Sequence, residues 1–170
     1  MRTPLCVAVA VALFSAGCSQ ASSPTAPTSL AANTADGLAA TSADLPFKGS
    51  LEGTVTVTPL EAPMANVFIA GSGTATHLGR FTVEIPHLVN FATAIGAGTF
   101  TFTAANGDQL TGDFTGAADT STPVFSIVEQ ATITGGTGRF AHATGGFVAR
   151  RLYDPAAGTT TGSFEGTITM

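Results

Sequence analysis

Residues Gly98–Gly116, GTFTFTAANGDQLTGDFTG, decide the fold class. Phe100 and Phe102 fall on one phase of a period-two pattern, while Thr99, Thr101 and Thr103 fall on the other. Apolar side chains at every second position describe a strand with one buried face, because successive side chains of a pleated chain point to opposite sides. Ala105-Asn106-Gly107-Asp108 then supplies a hairpin signal, since Asn and Gly tolerate the positive φ that a tight two-residue turn demands at both central positions. A second alternating run follows from Gln109.

The same grammar extends in both directions. Eight strands are predicted: Phe47–Thr58, Val67–Thr76, Arg80–Ile85, Gly98–Thr103, Gln109–Gly116, Val124–Thr134, Gly145–Tyr153 and Thr160–Thr169. No long helical period interrupts them. The first predicted strand contains Glu52-Gly53-Thr54-Val55-Thr56 and the last contains Glu165-Gly166-Thr167-Ile168-Thr169. Each segment puts its Gly and branched apolar residue on one face. That echo predicts that the two end strands pair antiparallel, which removes the exposed edges of an open sheet. The expectation is therefore all-β: a closed eight-stranded antiparallel up-and-down β-barrel of the small-ligand type, spanning residues 46–170. Such a barrel is filled by side chains or holds one small ligand.

The runs GSGTATHLGRFTVE (Gly71–Glu84), GTFTFTAANGDQLTGDFTG (Gly98–Gly116) and ATITGGTGRFAHATGGF (Ala131–Phe147) carry a resemblance. Together they look like bacterial allene-oxide-cyclase-like barrel domains, calycin-like relatives of plant allene oxide cyclases and dirigent proteins. The most specific part is Gly135-Gly136-Thr137-Gly138-Arg139-Phe140, with Ala143 and Gly145 downstream. The resemblance implies a small barrel with an apolar cavity. The plant members act on hydrophobic small molecules, one cyclising an unsaturated fatty-acid epoxide and the other orienting phenolic radicals. They assemble into dimers or trimers, so a homo-oligomer is implied. No motif in this chain carries over their active-site residues position by position.

Chemistry-bearing residues are few. Glu129 breaks its pattern, because Phe125, Ile127, Ala131 and Ile133 share its phase. An unbroken strand aims this carboxylate at the apolar side, where burial raises a carboxyl pKa and makes a candidate general acid or base. A β-bulge, or a place at the barrel mouth, returns it to solvent, and that placement is the expectation adopted. The triplets Gly79–Phe81 and Gly138–Phe140 read as structural corners, with Phe packed inward, Phe140 plugging the barrel, and Arg80 and Arg139 left at the rim. Those arginines and His77 are the rim candidates for ligand contact. His77, His87 and His142 match no common zinc spacing, so no metal site is expected. Gly135–Gly138 precedes no helix with Lys-Ser/Thr, and Gly71-Ser72-Gly73 lacks the spacing of a hydrolase elbow. No cofactor is expected.

The amino terminus specifies where the barrel resides. Arg2 precedes an uncharged run, Leu5–Phe14, too short to span a bilayer, which takes roughly 20 residues. Ser15-Ala16-Gly17-Cys18 follows, similar to a bacterial lipobox with Ser where Leu is most usual. The expected organisation is a lipoprotein signal over 1–17, a Ser/Thr/Ala/Pro tether over 18–45 and the barrel over 46–170. Cleavage before Cys18 would leave that residue acylated and the domain membrane-anchored outside the cytoplasm, on the outer membrane if the host has two membranes. Cys6 leaves with the signal, so no thiol remains for a disulfide. The tether, taken as a coil of about 27 residues, spans roughly 30 Å.

Charge narrows the partners. The chain carries six basic and eleven acidic residues, a net of −5; losing Arg2 with the signal leaves −6. Nucleic-acid binding and electrostatic attachment to anionic lipid are thereby disfavoured. With no Trp and only Tyr153, the chain lacks the ring platforms of carbohydrate and single-strand binders. The partners expected are the membrane, through Cys18, and an apolar small molecule. A non-catalytic binder of an apolar small molecule, or an envelope structural module, is the leading function; an isomerase or cyclase for a hydrophobic substrate is the alternative. Replacing Cys18 by Ala is expected to move the folded domain from the membrane fraction to the soluble fraction, read by fractionation and immunoblot. Unchanged membrane association would refute the anchor.

Overall fold

A computed structural model describes residues 43–170. The signal segment, Cys18 and the tether as far as residue 42 lie outside the described residues. Eight strands follow one another: β1 (Leu45–Pro59), β2 (Met64–Ala75), β3 (Gly79–Asn90), β4 (Ile95–Ala104), β5 (Gln109–Asp119), β6 (Phe125–Gly136), β7 (Thr144–Asp154) and β8 (Thr159–Thr169). A 3₁₀ turn, Gly138–Phe140, lies between β6 and β7. Each strand pairs antiparallel with the next, and β1 pairs with β8 from Leu45↔Ile168 to Thr54↔Thr159, so the sheet closes. The closure expected from the Glu-Gly-Thr echo is what forms: Gly53, Val55, Gly166 and Ile168 sit on the inward phase, and Glu52 and Glu165 are exposed.

Two local expectations need correction. The β4–β5 hairpin is not a two-residue turn with positive φ at both Asn106 and Gly107. Only Gly107 is left-handed (φ 88°). The Gly107 N–H donates to Ala104 O at 2.9 Å and the Ala104 N–H to Asp108 O at 2.9 Å, making a three-residue loop ending in a left-handed glycine. The other correction concerns β3, predicted to stop at Ile85 before Pro86. It runs on to Asn90, because the β2–β3 ladder is continuous through Phe68↔Pro86. The β3–β4 ladder instead skips from Glu84↔Thr101 to His87↔Gly98, where the missing proline N–H is tolerated.

The interior is divided along the barrel axis. One end carries the start of β1, the β2–β3, β4–β5 and β6–β7 connections, and the end of β8. Here Phe47, Phe81, Phe100, Phe102, Phe147 and Phe164 form one continuous ring cluster, with centroid separations such as 4.8 Å for Phe81–Phe102 and 5.1 Å for Phe47–Phe164. Phe140 is fully buried and Leu78 nearly so, capping this end as the Gly-Arg-Phe reading anticipated. The rings fit because most face glycine across the ladder: Phe164 opposite Gly49, Phe81 opposite Gly73, Phe100 opposite Gly112, and both Phe47 and Phe147 opposite Gly166. A Cβ on Gly112 would meet the Phe100 ring and the Thr132 carbonyl.

This packing sets the expected cost of disturbing it. Phe102→Ala should destabilise the fold by about 3–5 kcal/mol through the cavity it leaves. Gly112→Ala should cost about 1–3 kcal/mol by overpacking. The exposed Thr115→Ala should stay within about 0.5 kcal/mol. Urea unfolding of the three variants checks the ranking.

Candidate functional site

The opposite half of the barrel is not filled. Past the phenylalanine cluster, the inward positions are Val55, Val57, Val67, Ile69, Val89, Gly96, Gly116, Ala118 and Ile127, which are smaller and leave a cavity of about 100 Å³. Its mouth lies among the β1–β2, β3–β4, β5–β6 and β7–β8 connections. Phe91, Phe125 and Tyr153 line it there, the last two in edge contact at 5.9 Å. Val57, Leu60, Phe91 and Val124, at 37–57% exposure, extend the apolar rim outward. A smaller void of about 20 Å³ lies between the cavity and the rings. A larger concavity, about 870 Å³, follows the outer wall past Ser50, Glu52, Ser72 and Arg80 and is open to solvent. The enclosed apolar space is the better ligand site, since small-molecule sites are concave and mostly apolar with few polar groups.

Those few polar groups converge at the cavity floor. Glu129 on β6 and Arg151 on β7 both point inward and are 7% and 4% exposed. They are diagonal neighbours on the ladder, since Ile127 pairs with Arg151 and Glu129 with Ala149. The guanidinium grips the carboxylate at two points: Arg151 Nε donates to Glu129 Oε2 at 2.8 Å, and Nη2 donates to Oε1. Arg151 Nη1 donates to Thr160 Oγ1 at 2.9 Å, and that buried hydroxyl donates onward to Leu152 O. The bonds link all three side chains, and among the described residues every buried side-chain nitrogen and oxygen has at least one hydrogen-bond partner.

Glu129 is thus not turned to solvent, which corrects the placement adopted from sequence. The strand keeps its phase through Phe125, Ile127, Glu129 and Ala131. The one irregularity of β6 lies further on, where the register slips and Thr134 is skipped in the ladder to β5, its hydroxyl donating to Thr111 O at 3.5 Å. What makes inward burial tolerable is Arg151, because a two-point charge-assisted pair offsets the desolvation of both ions. The sequence analysis does not single out Arg151 as a partner for Glu129. The available signal was its phase, which it shares with Phe147, Ala149 and Tyr153.

His87 on β3 is the third member. Its ring lies 5.4 Å from Phe114, edge-on, and Nδ1 is 3.1 Å from Ile85 O. Burial pushes its pKa below the ordinary 6.5; the hydrogen bond to Ile85 O pulls it partly back, and the weaker effects of the Arg151 charge (downward) and the Glu129 charge (upward) follow. Sequence reading weighed His87 only for zinc, and ending β3 at Pro86 hid its phase with Val83 and Ile85.

The rim candidates lie elsewhere. His77 sits exposed in the β2–β3 turn with a left-handed backbone (φ 65°), and Arg80 is exposed at the start of β3. Arg139 lies over the Phe140 ring at 4.8 Å and 3.8 Å from Asp108. These three, with His142, belong to the Phe-packed end, so the fold does not bring them to Glu129 or to the cavity. No group of three or more His, Cys, Asp or Glu side chains among the described residues is placed to hold a metal.

The closed network makes a stability prediction. Glu129→Gln and Arg151→Met should each cost about 3–5 kcal/mol, because each strands a buried partner. The double variant Glu129→Leu/Arg151→Met should recover most of that loss, as measured by urea unfolding. Additive losses would mean that the two side chains are not coupled. No protein-family model, curated protein or solved structure matches this chain, so the reading of the site rests on its own geometry.

Proposed function

We propose that this protein is an exported, lipid-anchored container that admits one compact apolar molecule through the open end of its barrel. The observation that carries this reading is the division of the interior. One half is filled by rings, while the other is lined by Val, Ile, Ala and Gly and left with about 100 Å³ of space. The chain enters the barrel at Leu45, at the Phe-packed end. The mouth lies at the end of the barrel opposite this entry point. The resemblance to allene-oxide-cyclase-like barrels belongs to the same proposal, supported by the eight-stranded topology.

The isomerase or cyclase alternative rested on Glu129 as a general acid or base. Both of its oxygens accept hydrogen bonds from Arg151, so the carboxylate acts as an anchoring charge and favours the container over the catalyst. Benzene is a suitable first probe, because an apolar cavity of about 150 Å³ is known to stay dry and bind it. Titration followed by methyl NMR should shift Val55, Val67, Ile69, Val89 and Ile127. Leu110 and Ile168, at the packed end, should stay still. Ala118→Phe, which fills the cavity from β5, should abolish the shifts. Absence of any shift in the unaltered protein, or shifts spread evenly over both halves, would overturn the container reading.

A further inference from the structure

Within the cavity, the polar groups differ in what they leave to a ligand. Glu129, Arg151 and Thr160 satisfy one another. His87 does not join them by a hydrogen bond. Its Nδ1 faces the carbonyl of Ile85 at 3.1 Å, and a carbonyl only accepts. The proton of a neutral imidazole must therefore sit on Nδ1, and Nε2 is left with a lone pair and no hydrogen. The second ring nitrogen is thus an acceptor, on a side chain that lines the cavity together with Val67, Val89, Phe114 and Gly96.

We propose that the cavity selects molecules that carry a hydrogen-bond donor on a compact apolar body, an alcohol-type hydroxyl, with His87 Nε2 as the acceptor. The inference rests on the container reading and adds the polar half of the ligand. The hydrocarbon part takes the place of the empty volume, and the hydroxyl supplies the proton that the imidazole lacks. An acceptor-only molecule of the same size meets a lone pair instead and loses that bond. Burial supports the same state, since desolvation disfavours the imidazolium. The charged and titratable groups that face His87 are Glu129 from β6 and Arg151 from β7, with the Tyr153 hydroxyl nearer the mouth. No ionisable group lines the cavity from β1, β2, β4, β5 or β8.

Cyclohexanol and cyclohexanone differ in this one respect and suit the test. The full-length chain is titrated with each at pH 7.5 and followed by methyl NMR, while long-range ¹⁵N–¹H spectra report the tautomer of His87. The alcohol should bind about five- to tenfold more tightly, the worth of one hydrogen bond in a largely dry site. The proton should be found on Nδ1. The preference should vanish in His87→Leu and persist in His87→Gln, whose amide oxygen can accept. Acidification should weaken cyclohexanol binding as His87 is protonated, at a pH below 6.5 because burial lowers its pKa; the neutral form is fully present above that point. Cyclohexanone should not weaken in parallel. Should His87→Leu fail to fold, the tautomer and the acid loss in the unaltered chain decide the matter.

Equal affinities, a preference for the ketone, a proton on Nε2, or a preference surviving in His87→Leu would each overturn the hydroxyl inference and leave the container standing. Failure of both probes and of benzene to shift any cavity methyl would overturn the container reading itself.

Discussion

Most of the inward phenylalanines of this barrel stand opposite glycine, and the packing of the filled half depends on that steric exchange. An eight-stranded barrel is too narrow for bulky residues to face one another on neighbouring strands at every level. Phe47, Phe81, Phe100, Phe114, Phe147 and Phe164 each find a glycine across the ladder, at Gly166, Gly73, Gly112, Gly98, Gly166 and Gly49. Within the ring cluster Phe102 is the exception, opposite Val83 and Leu110, and its ring packs against those of Phe81, Phe100, Phe147 and Phe164. The described residues contain no cysteine, so this apolar packing and the closed sheet carry the barrel's stability.

The same rule places the polar groups. His87 pairs with Gly98, Glu129 with Gly116 and Arg151 with Gly162. A Cβ on Gly116 would meet the Glu129 side chain, and one on Gly162 would approach Arg151 Cγ at 2.6 Å. Glycines that make room for rings at one end therefore make room for an ion pair in the middle. Beyond that level Val, Ala and Gly share the inward positions of β1, β4 and β5, and the interior opens. Cavity and plug are two outcomes of one packing rule.

A buried ion pair contributes little net stability compared with a well-packed apolar pair, because desolvation consumes most of its attraction. Its consequence here is geometric. The pair fixes a polar floor under an apolar cavity and gives each carboxylate oxygen an arginine donor, while His87 lines the same cavity outside that pair. His87 is held by its own strand, through the carbonyl of Ile85 two residues earlier, so the orientation of its ring does not depend on the ion pair.

The fold was legible because strand periodicity is local. Phe100 and Phe102 declare one face within three residues, and the Glu-Gly-Thr echo reports the shared phase of two strands that meet. Glu129 was legible as an anomaly for the same reason, since it violates a period set by its own neighbours. Its partner was not, because Arg151 is 22 residues away and the two meet only through the β6–β7 register. His87 was hidden by Pro86, whose lost N–H matters on one side of β3 and not on the other, a distinction that exists only once both neighbouring strands are in place. The sequence by itself determined the strands, their inward faces and their closure, because each follows from alternation along the chain. Which half is filled, which end opens and which charges meet were decided by the tertiary structure, because they depend on what stands across the ladder and across the barrel.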